Sequence, residues 1–151
     1  MKVESKLKEL GIELPEASAP AAMYVPVKQA GNLLFVSGQT PKMNGALSHT
    51  GKVGKERDVA YGQEAAKACA IGVLAALKSH LGDLDKVKNM VKITVFVNSE
   101  PDFHEQHIVA NGASNLFVEA FGECGQHSRS AVGMGQLPMN CTVEVEAIVE
   151  I

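Results

Sequence analysis

The chain has 151 residues and a formal net charge of -3, with 46% hydrophobic and 5% aromatic residues. A chain of this length supports a single domain that buries roughly two-thirds of its unfolded surface. The lysines are scattered among acids, without the basic face of a nucleic-acid-binding protein, and no stretch approaches the about 18 uninterrupted apolar residues of a membrane span. We therefore expect neither a nucleic-acid partner nor a membrane partner.

The N-terminal residues 1–18 are predicted to form a short amphipathic helix, which ends near Gly11, and a linker. The linker sequence PEASAPAA, from Pro15 to Ala22, leads into a main domain that we assign to residues 19–151. The first residues lack the apolar core of a secretory signal, which predicts a cytoplasmic protein.

Two strands are predicted in YVPVKQAGNLLFVSGQTP, around the turn QAGN, and the second strand covers Leu33 to Ser37. The glycine-rich segment KMNGALSHTGKVGKE then indicates a surface loop. A long helix is predicted from about Val59 to Leu81, because apolar residues recur at spacings of three and four. Asp58 suits the N-cap of this helix, and Gly82 suits its C-terminal end.

The second half of the chain predicts a strand in MVKITVFVN, a helix, a loop in GECGQHSRS, a short strand in SAVGMGQLP and a strand in CTVEVEAIVEI. The helix is predicted to start at Pro101 and Asp102 and to end near Phe121. The order β-β-α-β-α-β-β predicts an α+β fold with a mixed sheet and both long helices on one face. The first of these strands places four alternating residues on one face: Val91, Ile93, Val95 and Val97.

The last strand has the most regular pattern, with one apolar face and an opposite face that mixes acids with a β-branched residue. The opposite face meets either solvent or another subunit. The apolar face carries Val143, Val145, Ala147, Val149 and Ile151, and the opposite face carries Thr142, Glu144, Glu146, Ile148 and Glu150.

Arg129 is one of only two arginines in the chain, and it stands between two serines at the start of a predicted strand. An arginine presents a planar fork that matches a carboxylate bidentately, so Arg129 is a candidate for holding a substrate carboxylate. The alternative is a surface arginine or an ion pair with a glutamate. Glu144 is the second candidate, because its strand pairs with the Arg129 strand if the two form a hairpin. A carboxylate there handles a proton or positions a water, whereas a solvated strand glutamate is the alternative.

His104 and His107 stand three residues apart at the predicted helix start, a spacing that puts both on one face and is compatible with metal binding. No clear third and fourth ligand is visible, so no metal site is predicted. His127, two residues before Arg129, either lines the same pocket or is an exposed loop residue. The cysteines are odd in number and have no CxxC spacing, which indicates reduced thiols. Cys69 is expected in the core, and Cys124 is the plausible exposed thiol.

Three segments, NLLFVSGQTP, VKITVFVNSEPDF and HSRSAVGMGQLPMNCTVEVEAIVEI, together resemble the RidA family, also called the YjgF/YER057c/UK114 or "endoribonuclease L-PSP" family. The most specific part is the run R-S-x-V-x-x-x-x-L-P followed by V-E-V-E-A-I, and the resemblance covers about Ala19 to Ile151. The segment NGASNLFVEAFGECGQHSRSAVG looks like a distinct branch of the family. The resemblance implies a chorismate mutase-like (bacillus type) fold and a homotrimer with a central β-barrel. It places the ligand pockets in the clefts between subunits.

The resemblance also implies an activity, the hydrolysis of reactive enamines and imines such as 2-aminoacrylate to 2-oxo acids and ammonia. A 2-iminobutanoate/2-iminopropanoate deaminase of this kind needs no metal and no organic cofactor. By the same resemblance, Arg129 grips the substrate carboxylate and Glu144 positions the attacking water. Tyr24, Ser37 and Gly38 match the pocket wall.

Two positions depart from the family pattern, and both leave the substrate open. Ala131 stands where a cysteine is typical, and His107 stands where an asparagine often lines the pocket. A bulkier, titratable side chain at 107 changes pocket size and polarity. Two other functions compete with the deaminase: a non-catalytic trimer that binds a small carboxylate, and an endoribonuclease. The acidic composition and low aromatic content support the ribonuclease poorly.

Overall fold

The computed structural model describes residues 2–19 and 22–151. The described chain forms three α-helices, a five-stranded sheet, a two-stranded ribbon and three short 3-10 turns, at Leu84–Lys86, Gly122–Gly125 and Pro138–Asn140. In chain order, the helices and strands are α1 (Lys2–Glu9), β1 (Val27–Ala30), β2 (Leu33–Gln39), β3 (Lys42–Met43), β4 (Ala46–Leu47), α2 (Val59–Leu81), β5 (Asn89–Asn98), α3 (Gln106–Phe121), β6 (Ser128–Met134) and β7 (Val143–Glu150).

The main sheet has the strand order β1-β2-β7-β5-β6, with β5 and β6 parallel and the other neighbours antiparallel. Helices α2 and α3 pack on one face of it and share a single hydrophobic core with the sheet. The predicted α+β class, mixed sheet and one-sided helix layer are confirmed. The ribbon β3–β4 lies within the segment predicted as a loop, where Asn44 and Gly45 take positive φ angles at its turn.

The predicted hairpin between the last two strands is wrong. β7 lies between β2 and β5, so β6 pairs with β5 and not with β7. The connection between β6 and β7 contains the 3-10 turn Pro138–Asn140, in which Met139 and Asn140 both have φ of 57°. This connection carries the chain past β5, and the central position of β7 satisfies its backbone groups on both edges.

Helix α2 begins and ends where the sequence predicts. The Asp58 carboxylate accepts a hydrogen bond from the Tyr61 amide at 2.8 Å, and Gly82, with φ of 78°, donates its amide to the Lys78 carbonyl. Helix α3 begins at Gln106, later than predicted from Pro101 and Asp102. Residues 100–103 instead form a turn, closed by a 3.0 Å bond from the Phe103 amide to the Glu100 carbonyl.

Strand β5 contains an irregularity that changes which of its residues face the core. The register with β7 shifts between Met90 and Lys92, so Met90 is buried at 1% exposure while Val91 is 38% exposed. The prediction that Val91 shares one face with the next three alternating residues is therefore wrong, because Ile93, Val95 and Val97 are buried and Val91 is not. Ile151 is partly buried, and the other four residues of the apolar β7 face, Val143, Val145, Ala147 and Val149, are buried as expected.

Helix α1 is docked on the body of the protein through Val3 and Leu7, which join the core. The Asp85 carboxylate accepts hydrogen bonds from the Lys2 and Val3 amides at 2.7 and 2.9 Å, which stabilises the helix N-terminus. Part of the predicted linker after α1, at positions 20 and 21, lies outside the described residues. None of the helices in the described residues is long and apolar enough to cross a membrane.

Candidate functional site

Glu144 lies on the sheet face that points away from the helices. Its partner on β5 is Phe96, and it alternates with the buried Val143 and Val145. Opposite this part of β7, strand β2 bulges: Val36 pairs with Ala147 and Gln39 with Val145, so two residues of β2 face one of β7. In the part of the chain that the structure describes, the helices cover the other face of β7, and Glu144 and Glu146 stand on the face without a helix.

Gly38 sits in the β2 bulge directly against the Glu144 side chain. A Cβ added at Gly38 would overlap with Oε1 of Glu144 and lie 3.0 Å from its Cδ. The missing side chain of Gly38 therefore provides the space that the carboxylate occupies. Ser37 fixes the neighbouring chain, since its Oγ donates to the Val25 carbonyl at 2.7 Å. Tyr24 directly precedes Val25 and is 52% exposed, so the Ser37 bond places the Tyr24 segment beside the Gly38 bulge.

The environment of Glu144 favours its protonated form. Partial burial raises the pKa of the Glu144 carboxyl above its usual 4.5, and the negative charge of Glu146 raises it further. A carboxylate of this kind accepts a proton more readily than a solvated glutamate does.

Arg129 lies on the opposite face of the sheet. Ile93 pairs with both Arg129 and Ala147, and it is fully buried beneath the helices. The guanidinium reaches α3, where Nη1 donates to Asn111 Oδ1 at 2.9 Å and to Ser114 Oγ at 3.1 Å. Nη2 donates to the His107 carbonyl at 3.2 Å. All three partners are uncharged, which contradicts the alternative of a structural ion pair with a glutamate at these nitrogens.

Within one chain, the structure does not bring Arg129 and Glu144 together. They occupy different faces of the sheet, and β5 lies between their strands. From the sequence, a β6–β7 hairpin is expected to place Glu144 near Arg129. This expectation is wrong, because β6 and β7 do not pair.

A shallow cavity of about 280 Å³ opens beside Arg129, and His127 lines it. The sequence left the position of His127 open between this pocket and an exposed loop. Its Nε2 is 2.8 Å from Ser114 Oγ, and its Nδ1 is 2.7 Å from the Gly125 carbonyl oxygen. Burial lowers the pKa of His127 below its usual 6.5, and the positive charge of Arg129 lowers it further. The other lining residues are Ser114, Val118 and Gln126.

Sequence reasoning missed Ser114 and Asn111 as neighbours of Arg129. The available signal was their spacing of three in the helical segment NGAS, which places both on one helix face. His127 and Arg129, two apart at the start of a strand, share a face by the same kind of argument.

The remaining predicted residues have smaller parts in this region. The His107 side chain is exposed, and it is the backbone carbonyl of His107 that contacts Arg129. His104 precedes α3, so the two histidines do not form the predicted helical pair. In the residues that the structure describes, the candidate metal-ligand group is Glu4, Asp83 and Asp85, which includes neither histidine. Ala131 is partly buried on the same sheet face as Arg129.

The predicted states of two cysteines agree with the structure. Cys69 is fully buried on α2, and burial raises the pKa of its thiol well above 9.0. Cys124 is partly exposed, with Sγ 3.2 Å from the Phe121 carbonyl oxygen.

A family model described as "YjgF/chorismate_mutase-like, putative endoribonuclease" matches residues 4–151. The chain belongs to the YjgF/RidA family. The resemblance found in the sequence is thereby confirmed, and the match covers both faces of the sheet that carry Glu144 and Arg129.

Three relatives of this RidA-family chain span nearly its whole length. "Protein TCP17" of Trypanosoma cruzi is 50% identical over 151 residues, which is 99% of this chain and 94% of the relative. The crystal structure of Atu1372 from Agrobacterium tumefaciens, described as of unknown function, has a TM-score of 0.94 at 52% identity and covers 99% of this chain and 92% of that one. The 2-iminobutanoate/2-iminopropanoate deaminase of Dermatophagoides farinae is 30% identical over 142 residues, which is 93% of this chain and 94% of the relative.

Proposed function

We propose that this protein is an enamine/imine deaminase that converts 2-aminoacrylate-type intermediates to 2-oxo acids and ammonia. The observation that carries the proposal is the full-length similarity to a relative named as a 2-iminobutanoate/2-iminopropanoate deaminase. The positions of Arg129 and Glu144, fifteen residues apart (144 − 129 = 15), match the two functional positions that the family resemblance implies.

Arg129 is assigned to the substrate carboxylate. Its guanidinium is partly exposed at a cavity, and its hydrogen-bond partners on α3 leave its positive charge uncompensated. A planar carboxylate bound there has a fixed orientation, and orientation alone supplies a large part of a rate enhancement.

Glu144 is assigned to the attacking water. The enamine first tautomerises to the imine, and water then adds to the imine carbon. Glu144 takes one proton from the attacking water and passes it to the imine nitrogen, which gives a carbinolamine. The hydroxyl proton then passes through Glu144 to the same nitrogen as the carbon–nitrogen bond breaks, so ammonia leaves and the carbon keeps a C=O bond. The raised pKa of Glu144 suits this exchange, because the group must both accept and return a proton near neutral pH.

The separation of Arg129 and Glu144 within one chain supports a pocket built by two chains. We assign Arg129 of one protomer and Glu144 of the next to each pocket of a homotrimer with a central β-barrel. The sheet face that carries Glu144 also exposes Phe35 at 42% and Val132 at 39%, so association would bury apolar area on this face. Light scattering coupled to gel filtration tests the trimer.

The activity is tested by ammonia release from freshly generated 2-iminopropanoate, and from bulkier amino-acid imines, with the wild type and three variants. Arg129→Ala and Glu144→Gln are expected to lose turnover, whereas Glu150→Gln, on the same face of β7 at its far end, serves as the matched control. No turnover of any imine by the wild type, together with carboxylate binding that requires Arg129, would replace the deaminase by the binding trimer.

A pocket shared by two protomers predicts that two inactive variants complement each other. Mixed trimers, refolded from Arg129→Ala and Glu144→Gln chains together, contain some pockets with both residues intact. They are expected to recover part of the activity that each variant lacks alone. No recovery in confirmed mixed trimers would place both residues of a pocket in the same chain.

A further inference from the structure

Ser114 and His127 form a hydroxyl–imidazole pair that the proposed deaminase does not use. The Gly125 carbonyl oxygen, 2.7 Å from His127 Nδ1, can only accept a hydrogen bond, so Nδ1 carries the proton of the neutral ring. Nε2 is then the acceptor, and the Ser114 hydroxyl donates to it at 2.8 Å. A hydroxyl bonded to a base that a third group orients is the arrangement of an activated nucleophile.

The orienting groups are held firmly in place. A Cβ at Gly125 would overlap with the Phe117 carbonyl oxygen, so only glycine allows this close approach to α3. The Phe117 ring contacts the imidazole edge-on, with ring centroids 5.9 Å apart and an interplanar angle of 86°. The tautomer and the direction of Nε2 are therefore both fixed by neighbouring atoms.

Arg129 adds positive charge at the same hydroxyl. Its Nη1 is 3.1 Å from Ser114 Oγ, and the bond to Asn111 keeps it there. A cation at this distance stabilises negative charge that develops on Oγ, or on the carbonyl oxygen of an acyl group that bonds to Oγ. Ser114 lies within α3, whose backbone amides are used in the helix, so the guanidinium supplies the charged donor to an oxyanion.

The cavity of about 280 Å³ gives a small molecule access to these three side chains. Among the residues that the structure describes, its lining contains no carboxylate, and the partly exposed Val118 provides an apolar wall. A small acyl group that is neutral or anionic fits this volume and charge.

We propose that Ser114 is the nucleophile of a second activity, the hydrolysis of esters of small carboxylic acids, with His127 as general base and Arg129 as oxyanion donor. Ser114 Oγ forms a bond to the acyl carbon and passes its proton to His127 Nε2. The ester C–O bond breaks, and the alcohol leaves with that proton. Water then attacks the acyl-serine, gives one proton to Nε2, and releases the carboxylic acid as Ser114 recovers its hydroxyl hydrogen. Glu144 takes no part, whereas Arg129 is shared with the proposed deaminase, so the two activities differ in their reacting groups and not in their cation.

The test uses p-nitrophenyl acetate, a small activated ester, with the full chain. We expect a burst of p-nitrophenol equal to the protomer concentration and a transient acetyl group on the peptide that contains Ser114. Ser114→Ala is expected to abolish the burst, and His127→Gln to slow acylation about 100-fold, as removal of a general base does.

Ser48→Ala is the matched control, because Ser48 Oγ is also bonded to a histidine, at 2.7 Å from His49 Nδ1. A phenylmethylsulfonyl fluoride label on the wild type, mapped by mass spectrometry, keeps the test independent of how the Ser114 variant folds. Modification of Ser114 by both reagents supports the proposal. Acetyl groups only on lysines or on Ser48, or a burst that persists in Ser114→Ala, would overturn it.

Discussion

Replacing Gly38 by alanine tests whether the space beside Glu144 matters for function. Gly38 has no positive φ, so alanine fits its backbone, and the conflict is confined to the Glu144 side chain. The new methyl carbon would overlap with Oε1 and lie 3.0 Å from Cδ and 3.2 Å from Cγ. The carboxylate must therefore move by about 1 Å, a displacement that can cost about 100-fold in rate at a catalytic group.

The expected result is a fall in kcat/KM for 2-iminopropanoate of about 100-fold, or about 2.7 kcal/mol of transition-state stabilisation. The free energy of unfolding should change little. The flexible Glu144 side chain can move away from the new methyl group, and alanine lowers the entropy of the unfolded chain, which stabilises the fold by about 0.4–1 kcal/mol. Ammonia release measures the first effect and urea unfolding the second. Gly135→Ala is the control, since a Cβ there meets nothing within 4 Å. If Gly38→Ala releases ammonia at the wild-type rate while Glu144→Gln is inactive, Gly38 does not set the position of the carboxylate.

Three further predictions concern stability. The folded-state pKa of Glu144 is raised above 4.5, so the charged carboxylate opposes folding once the pH has risen through that pKa. Glu144→Gln should therefore raise the melting temperature at about pH 7, and this increase should disappear below pH 4.5. The folded-state pKa of His127 is lowered below 6.5, so the neutral ring contributes its full stability above pH 6.5 and this contribution is lost as the pH falls toward the folded-state pKa. In urea unfolding, the stability of His127→Gln should therefore change less between about pH 7.5 and about pH 5.5 than the stability of the wild type does. Leu7 is 1% exposed, so Leu7→Ala should lower the free energy of unfolding by about 2–5 kcal/mol, whereas Lys8→Ala at an exposed position should change it little. Equal effects of the two substitutions would mean that α1 does not contribute to the core.

The elements with strong periodicity were predictable from the sequence. Helix α2 has both its apolar spacing and its two caps in the sequence, and β7 alternates without interruption. The start of α3 was not predictable in the same way, because Pro101 suits either a helix start or a turn, and the Glu100–Phe103 bond decides for the turn. The outward direction of Val91 depends on a bulge, which a simple alternation does not reveal.

The sequence nominates the residues of the candidate site but does not give their arrangement. Arg129 and Glu144 stand out by chemistry and by family spacing, but the sheet neighbours of a strand are set by the whole fold. Proximity along the chain suggested that β6 and β7 pair, whereas β7 pairs with β2 and β5. The contact of Ser114 with His127 and Arg129 joins a helix to a following strand, and no local pattern encodes that distance.

The three hydrogen bonds that α3 makes to Arg129 have a consequence for affinity. A free arginine on a surface samples many rotamers, and ordering such a side chain costs about 0.5–1.5 kcal/mol each time a ligand binds. The guanidinium of Arg129 is already ordered by Asn111, Ser114 and the His107 carbonyl before any ligand arrives. Folding has met that entropy cost in advance, so if Arg129 holds the substrate carboxylate as proposed, a small anion with few contacts of its own binds with a smaller loss of entropy.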